Sequence, residues 1–121
     1  MNTVLLYLGV VIITLWGIGH LAPTRNIIAG FGDLSADNRR IITMEWIAEG
    51  LTLVFLGILV LLVNWLAPDS VGALIATRAA AAMLLALAAL SLFTGARTAV
   101  LPMKLCPAVK TLTALLFLIG G

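Results

Sequence analysis

From Leu53 to Val63 every residue is apolar, and three further stretches of the chain are almost as free of charge. Long apolar runs constrain a fold more tightly than any other feature. A helix rises about 1.5 Å per residue and the hydrocarbon core of a bilayer is about 30 Å thick, so about 20 apolar residues make one crossing. Lipid offers the backbone no hydrogen-bond partners, which leaves the α-helix as the form such a run adopts. The four segments lie at about 3–21, 41–66, 71–93 and 106–121, and in a chain of 121 residues they leave room for no soluble domain. The expected fold is all-α, a single transmembrane domain built as an integral membrane four-helix bundle, with a short interfacial segment between spans one and two. Only 10% of the residues are charged, 63% are hydrophobic, and the mean hydropathy is +1.21. A soluble domain carries about 25% charge. The composition thus excludes a disordered chain, a basic nucleic-acid-binding domain and an ordinary soluble enzyme. The first partner is the lipid bilayer, and no nucleic acid is expected.

The breaks between spans are local. Pro23 ends the first span, because proline lacks a backbone donor and clashes with the preceding turn. Met1 to Val4 carries no Lys or Arg, so the first segment reads as a retained span rather than a signal peptide. Ile27, Phe31 and Leu34 fall at i, i+4 and i+7, the spacing of a short amphipathic helix in the interface. Gly30 and Gly32 oppose that helix and leave a tucked-in loop as the alternative. Asp37 or Ser35 is placed to cap the second span. Trp46 and Trp65 lie near its ends, where indoles anchor in the interface. Ala67-Pro68-Asp69-Ser70 is a tight turn, with Asp69 or Ser70 capping the third span. That span is rich in alanine, and small residues mark close helix packing in lipid, so it is expected at the centre of the bundle or in an oligomer interface. Pro102 breaks the next connection, and the fourth span is expected to start at Cys106 or Pro107. Starting there it spans only about 22 Å, so either residues from Ala99 add a kinked first turn or the bilayer thins locally.

Orientation follows from the cations. Arg25, Arg39 and Arg40 lie in the 22–40 connection and Arg97 and Lys104 in the 94–105 connection, whereas the turn between spans two and three has neither Lys nor Arg. The positive-inside rule makes both longer connections cytoplasmic and puts both termini outside.

That topology brings distant ionisable residues to one depth. His20 closes the first span, Glu45 and Glu49 open the second, and Arg97, Lys104, Cys106 and Lys110 lie around the start of the fourth. Glu45 and Glu49 are four apart and share a helix face, continued by Thr52. A carboxylate inside a span costs about 2.5–3.5 kcal/mol on insertion scales, so Glu49 should face the bundle interior, paired or protonated. Arg97, Lys110 and His20 are its candidate partners. Glu49 and Glu45 are thus proton- or substrate-binding candidates, unless they serve as an interhelical salt bridge or, for Glu45, lie near the surface. His20 either relays protons or is a helix-end residue bonded to a carboxylate. With Glu45 and Glu49 it would form a one-histidine, two-carboxylate metal set, but no spacing motif fixes that set and no metal is expected. Arg97 belongs to the same cluster. Arg78 lies inside the third span and either snorkels to the outer headgroups or Asp69, or points inward as a binding group. Cys106, beside Pro107 at an expected helix N-terminus and near Lys104 and Lys110, is a reactive-thiol candidate. The bland reading of Cys106 is a small packing residue. The threonines and Ser91 within spans are expected to bond to their own helix backbone.

Gly17-Ile18-Gly19-His20-Leu21, then Gly30-Phe31-Gly32, then Glu49-Gly50-Leu51 running to Phe55-Leu56-Gly57, together resemble the DoxX-like family of small four-span membrane proteins. The likeness covers Gly17 to Gly57, about a third of the chain, and the Arg97 and Cys106-Pro107 region departs from the pattern. The resemblance implies a four-helix bundle and membrane-linked redox or thiol metabolism with a partner protein or a quinone.

Three functions therefore stand. The first is a redox- or thiol-metabolism-associated membrane subunit with a polar cluster at its cytoplasmic side. The second is a small proton-coupled transporter or channel, an oligomer because four short helices enclose little volume. The third is a membrane-embedded enzyme acting on a lipidic substrate. No nucleotide loop, metal motif or nucleophile triad settles whether the chain is an enzyme. No cofactor is evident, and a quinone is the class left open. A homo-oligomer or a subunit of a membrane complex is expected.

Overall fold

The computed structural model describes residues 2–121. Five α-helices follow one another: α1 (Thr3–Leu21), α2 (Thr24–Ala29), α3 (Ala36–Leu66), α4 (Val71–Phe93) and α5 (Leu101–Gly120), with a 3₁₀ turn at Gly95–Arg97 before α5. All but α2 are long and apolar enough to cross a membrane, which makes the protein a small multi-pass integral membrane protein of the all-α, four-helix-bundle class. Around the bundle the order is α1, α3, α4, α5, and α5 closes back on α1. Short connections and this order make each helix antiparallel to its two neighbours.

Local chemistry sets the helix ends. The side chains of Asn2, Ser35 and Ser70 accept from the backbone N–H groups of Leu5, Asn38 and Ala73, capping α1, α3 and α4. In the turn after α3, Asp69 takes φ 59, a left-handed conformation that Asp tolerates better than most residues. The short interfacial helix is confined to Thr24–Ala29: the chain turns at Gly30, Gly32 takes φ 78, and Phe31 is exposed rather than part of a helical face.

Two helix starts differ from expectation. α3 begins at Ala36 rather than near Ile41, because Ser35 supplies a cap. α5 begins at Leu101, so its residues from there supply the missing length and no thinning of the bilayer is needed. Pro102 sits in the first turn, where its missing N–H costs nothing, and does not break the connection. Pro107 therefore lies inside α5, and Cys106 is not at a helix N-terminus.

The bundle turns large apolar side chains toward lipid and small or polar ones inward. On α1, Val4, Leu8, Val11, Leu15 and Ile18 form an exposed stripe at helical spacing. Its inner stripe contains Gly9, Gly17 and His20. The glycines matter where helices nearly touch: a Cβ on Gly17 would lie 2.9 Å from the Val54 backbone nitrogen and 3.1 Å from the Gly50 oxygen. Leu6, Ile13, Leu53, Val60, Leu84 and Phe117 fill the interior, all at 0% exposure. α4 is not central. Of the long helices it packs on α3 and α5, burying Ala73, Ala80, Ala81 and Ala88 and leaving Ala79, Ala82, Ala86 and Ala89 exposed.

Trp46 and Trp65, on α3, are separated by about 29 Å of helix, close to the 30 Å of a hydrocarbon core. Glu49 lies about one turn inside the Trp46 end. The first turns of α3, with Asp37, Arg39 and Arg40, extend beyond that boundary.

Candidate functional site

Just inside the Trp46 boundary, each long helix contributes a polar side chain to one layer: His20 from α1, Glu49 from α3, Ser91 from α4 and Lys110 from α5. Lys110 is the centre of it. Its side chain is 0% exposed, reaches diagonally across the bundle, donates to the Glu49 carboxylate, and donates to Ser91 Oγ at 2.8 Å. A buried ammonium is tolerable only when paired and hydrogen-bonded, and both conditions are met. The Ser91 hydroxyl donates to the Leu87 carbonyl at 2.8 Å, so its lone pair is free to accept from Lys110.

His20 completes the layer. Its Nε2 lies 3.7 Å from Glu49 Oε2 and 3.1 Å from the Trp46 carbonyl oxygen. A carbonyl only accepts, so Nε2 carries a proton and, in the neutral ring, Nδ1 is the acceptor. Trp46 holds the ring from a second side. Its indole N–H donates to the His20 carbonyl at 2.9 Å, and the two rings stack with centroids 3.8 Å apart and planes 14° from parallel. The indole thereby satisfies a carbonyl that the end of α1 would leave bare.

Of the residues the sequence singled out, the structure unites Glu49 and His20. Glu45 is exposed on α3, beyond the end of α1. Arg97 is exposed in the 3₁₀ turn, its guanidinium 5.9 Å above the Phe93 ring, and is not a partner of Glu49. Arg78 is exposed on the outer face of α4. Cys106 is 3% exposed, packs 3.9 Å from Ser91 Oγ, and lies within α5 rather than at the helix end expected for it. Among the described residues no group of three or more His, Cys, Asp and Glu side chains is arranged to hold a metal ion.

Three contributors carry more than the sequence reading assigned them. By sequence Lys110 is one of several candidate partners for Glu49, Ser91 a backbone-bonded serine, and Trp46 an interfacial anchor. A signal for Lys110 exists in the periodicity. Cys106, Lys110, Thr113, Ala114 and Phe117 form the inward stripe of α5, with Lys110 in its midst. At the opposite end of the bundle, Asn64 Nδ2 donates to Thr77 Oγ1 and to the Val60 carbonyl, each at 2.8 Å, tying α3 to α4.

Beside the layer is an apolar cavity of about 410 Å³. Ile12, Leu15, Trp16 and Gly19 of α1, Ile27 of α2 and Met103 of α5 line it, and His20 and Trp46 form its wall toward the polar layer. A second cavity of about 390 Å³ shares Ile27, Trp46, Val100 and Met103 and continues toward the connections, past Asn26, Gly95 and Thr98.

Compared with protein families, curated proteins and solved structures, the chain gives no match.

Proposed function

We propose that the protein is a redox-associated membrane subunit that binds a quinone-class molecule in the cavity between α1, α2 and α5. The observation that carries this reading is an apolar cavity of about 410 Å³ whose wall includes His20, itself backed by Glu49 and Lys110. Ligand sites are typically apolar chambers of about 300–1,000 Å³ with a few convergent polar groups. A quinone fits that donor set: its ring and isoprenoid tail suit Ile12, Leu15, Trp16 and Met103, and its oxygens suit an imidazole. Bound there, it would supply two-electron, two-proton redox chemistry, with electrons from a partner subunit of a membrane complex.

This chain's residues would handle orientation and protons. Neutral His20 accepts a hydrogen bond at Nδ1, and its imidazolium form donates one there. Glu49 lies 3.7 Å from Nε2, and Lys110 keeps the carboxylate in place. Trp46 fixes the ring by stacking and by its bond to the His20 carbonyl. The layer lies at the cytoplasmic end if the 22–40 and 94–105 connections are inside, as their five cations favour. The DoxX-like resemblance favours the same class of role. A transport path through one chain is less well supported, because Leu6, Ile13, Leu53, Leu84 and Phe117 fill the bundle beneath the layer.

The test is tryptophan fluorescence of the purified protein titrated with a short-chain quinone. Trp16 and Trp46 line the cavity, so quenching should be saturable. Gly19 also lines it, and a Cβ there meets nothing within 4 Å, so Gly19→Phe, which adds a ring at the cavity wall, should abolish saturation. Identical quenching in both proteins would refute the site.

A further inference from the structure

α2 is the least secured helix of the bundle, and both cavities lie against it. It has six residues, no side-chain cap at its N-terminus, and one buried residue, Ile28, at 4% exposure. A helix that short draws its stability from packing, and few buried contacts place a segment at the low-stability end of a fold. The packing it has is chiefly on α3. Its side-chain hydrogen bond is local, from Thr24 Oγ1 to the Leu21 carbonyl at 2.6 Å. Pro23 precedes it, and Gly30 and Gly32 follow, with Gly32 at φ 78. α2 is therefore a short stiff piece between two places where the chain turns, which is the build of a hinged segment.

The opposite wall is fixed. The Gly95–Arg97 turn packs on both α4 and α5, and Met103 belongs to α5 itself. The second cavity lies between these walls, with Ile27 and Phe31 on one side and Val100 and Met103 on the other, and its surface is almost wholly apolar. Phe31 is 53% exposed and Val100 46%. At the membrane boundary this gap leaves apolar surface toward water and headgroups, and bringing the walls together removes it. The quinone cavity shares Ile27, Trp46, Val100 and Met103 with the gap, so the same movement shuts its side toward the connections.

We propose that residues 23–32 form a lid that closes the second cavity over a ligand held beside His20. Ile27 and Phe31 meet Val100 and Met103, while Ile28 keeps α2 seated on α3. Closure shuts the headgroup away from water and holds it against His20 and Trp46. The lid rests on the quinone reading for its ligand but not for its motion. As a two-state element it visits the closed form without ligand, and a bound quinone raises that population.

The test is the distance across the gap, measured in nanodiscs by pulsed electron–electron double resonance. Nitroxides are attached at Arg25→Cys on α2 and Ala99→Cys on the opposite wall, with Cys106→Ala removing the native thiol. Both label sites are exposed and neither lines a cavity. Without ligand the labels should show a main distance and a minor shorter one, and saturating short-chain quinone should make the shorter one dominant. Phe31→Ser tests the cause. Phe31 lines the second cavity and not the first, so tryptophan quenching by quinone should stay saturable in this variant while the shorter distance is lost and quinone leaves severalfold faster. Saturable quenching with an unchanged distance would overturn the lid and leave the quinone site standing. Absent quenching would overturn the quinone site, and the lid would then be judged by the ligand-free shorter distance and its loss in Phe31→Ser. A single distance, the same in both proteins with and without quinone, would overturn the lid outright.

Discussion

The buried ion pair predicts an asymmetry between its two members. Glu49→Leu would leave the Lys110 ammonium at 0% exposure with Ser91 Oγ, 2.8 Å away, as its remaining acceptor. Removing one partner of a buried pair costs about 3–5 kcal/mol, because the survivor keeps its desolvation penalty without its counter-charge. Lys110→Leu leaves the Glu49 carboxylate instead, which is 32% exposed and 3.7 Å from His20 Nε2. A position close to the membrane boundary and a nearby imidazole place this cost between that of surface and buried pairs, at about 1–3 kcal/mol. Replacing both residues by leucine removes both charges together and should bring stability back to within about 1 kcal/mol of the wild type. The assay is the unfolding free energy of the four proteins in bicelles, measured by steric trapping. The reasoning fails if Lys110→Leu is the more damaging change, or if the double variant loses the sum of the two single costs.

Two further outcomes test the architecture. Gly17→Ala drives a methyl against the backbone of α3 and should destabilise the protein by about 1–3 kcal/mol, whereas Gly19→Ala, two residues on in open space, should be neutral or stabilising by up to about 1 kcal/mol; thermal unfolding in detergent compares them. Cys106, at 3% exposure, should react with a maleimide far more slowly in the folded protein than after denaturation, and equal rates would mean that α4 and α5 do not close over it as described.

The spans were legible because lipid makes their chemistry one-dimensional: a run without charge, ended by Pro23 or Pro68, has few alternatives to a helix. Ser70 was equally readable as a cap. Proline was the least reliable guide, since one residue type breaks a helix interior and suits a first turn. Pro102 was read in the first sense and occurs in the second, which moved the start of α5 to Leu101 and carried Lys110 from near a helix end to its middle. That shift explains why Lys110 was undervalued. The Glu45–Glu49 pair was misleading for a related reason. Four residues place both on one face of α3, but α1 ends at Leu21, so only Glu49 meets a neighbour able to pair with it. Arg97 was drawn into the cluster by depth alone, and depth says nothing of direction around a helix. The convergence of His20, Glu49, Ser91 and Lys110 needs all four helix rotations at once, and periodicity supplies these only when each helix has a clear inner stripe. α4, with alanine on every side, has none.

We propose that the cavity beside His20 holds a quinone headgroup. The most direct measurement is an experimental structure of the protein in lipid with a short-chain quinone added. The account predicts density for the ring between Trp16, Met103 and His20, with an oxygen within hydrogen-bond distance of the imidazole. A cavity that stays empty or filled by lipid chain at saturating quinone, with the ring bound elsewhere or not at all, would contradict it.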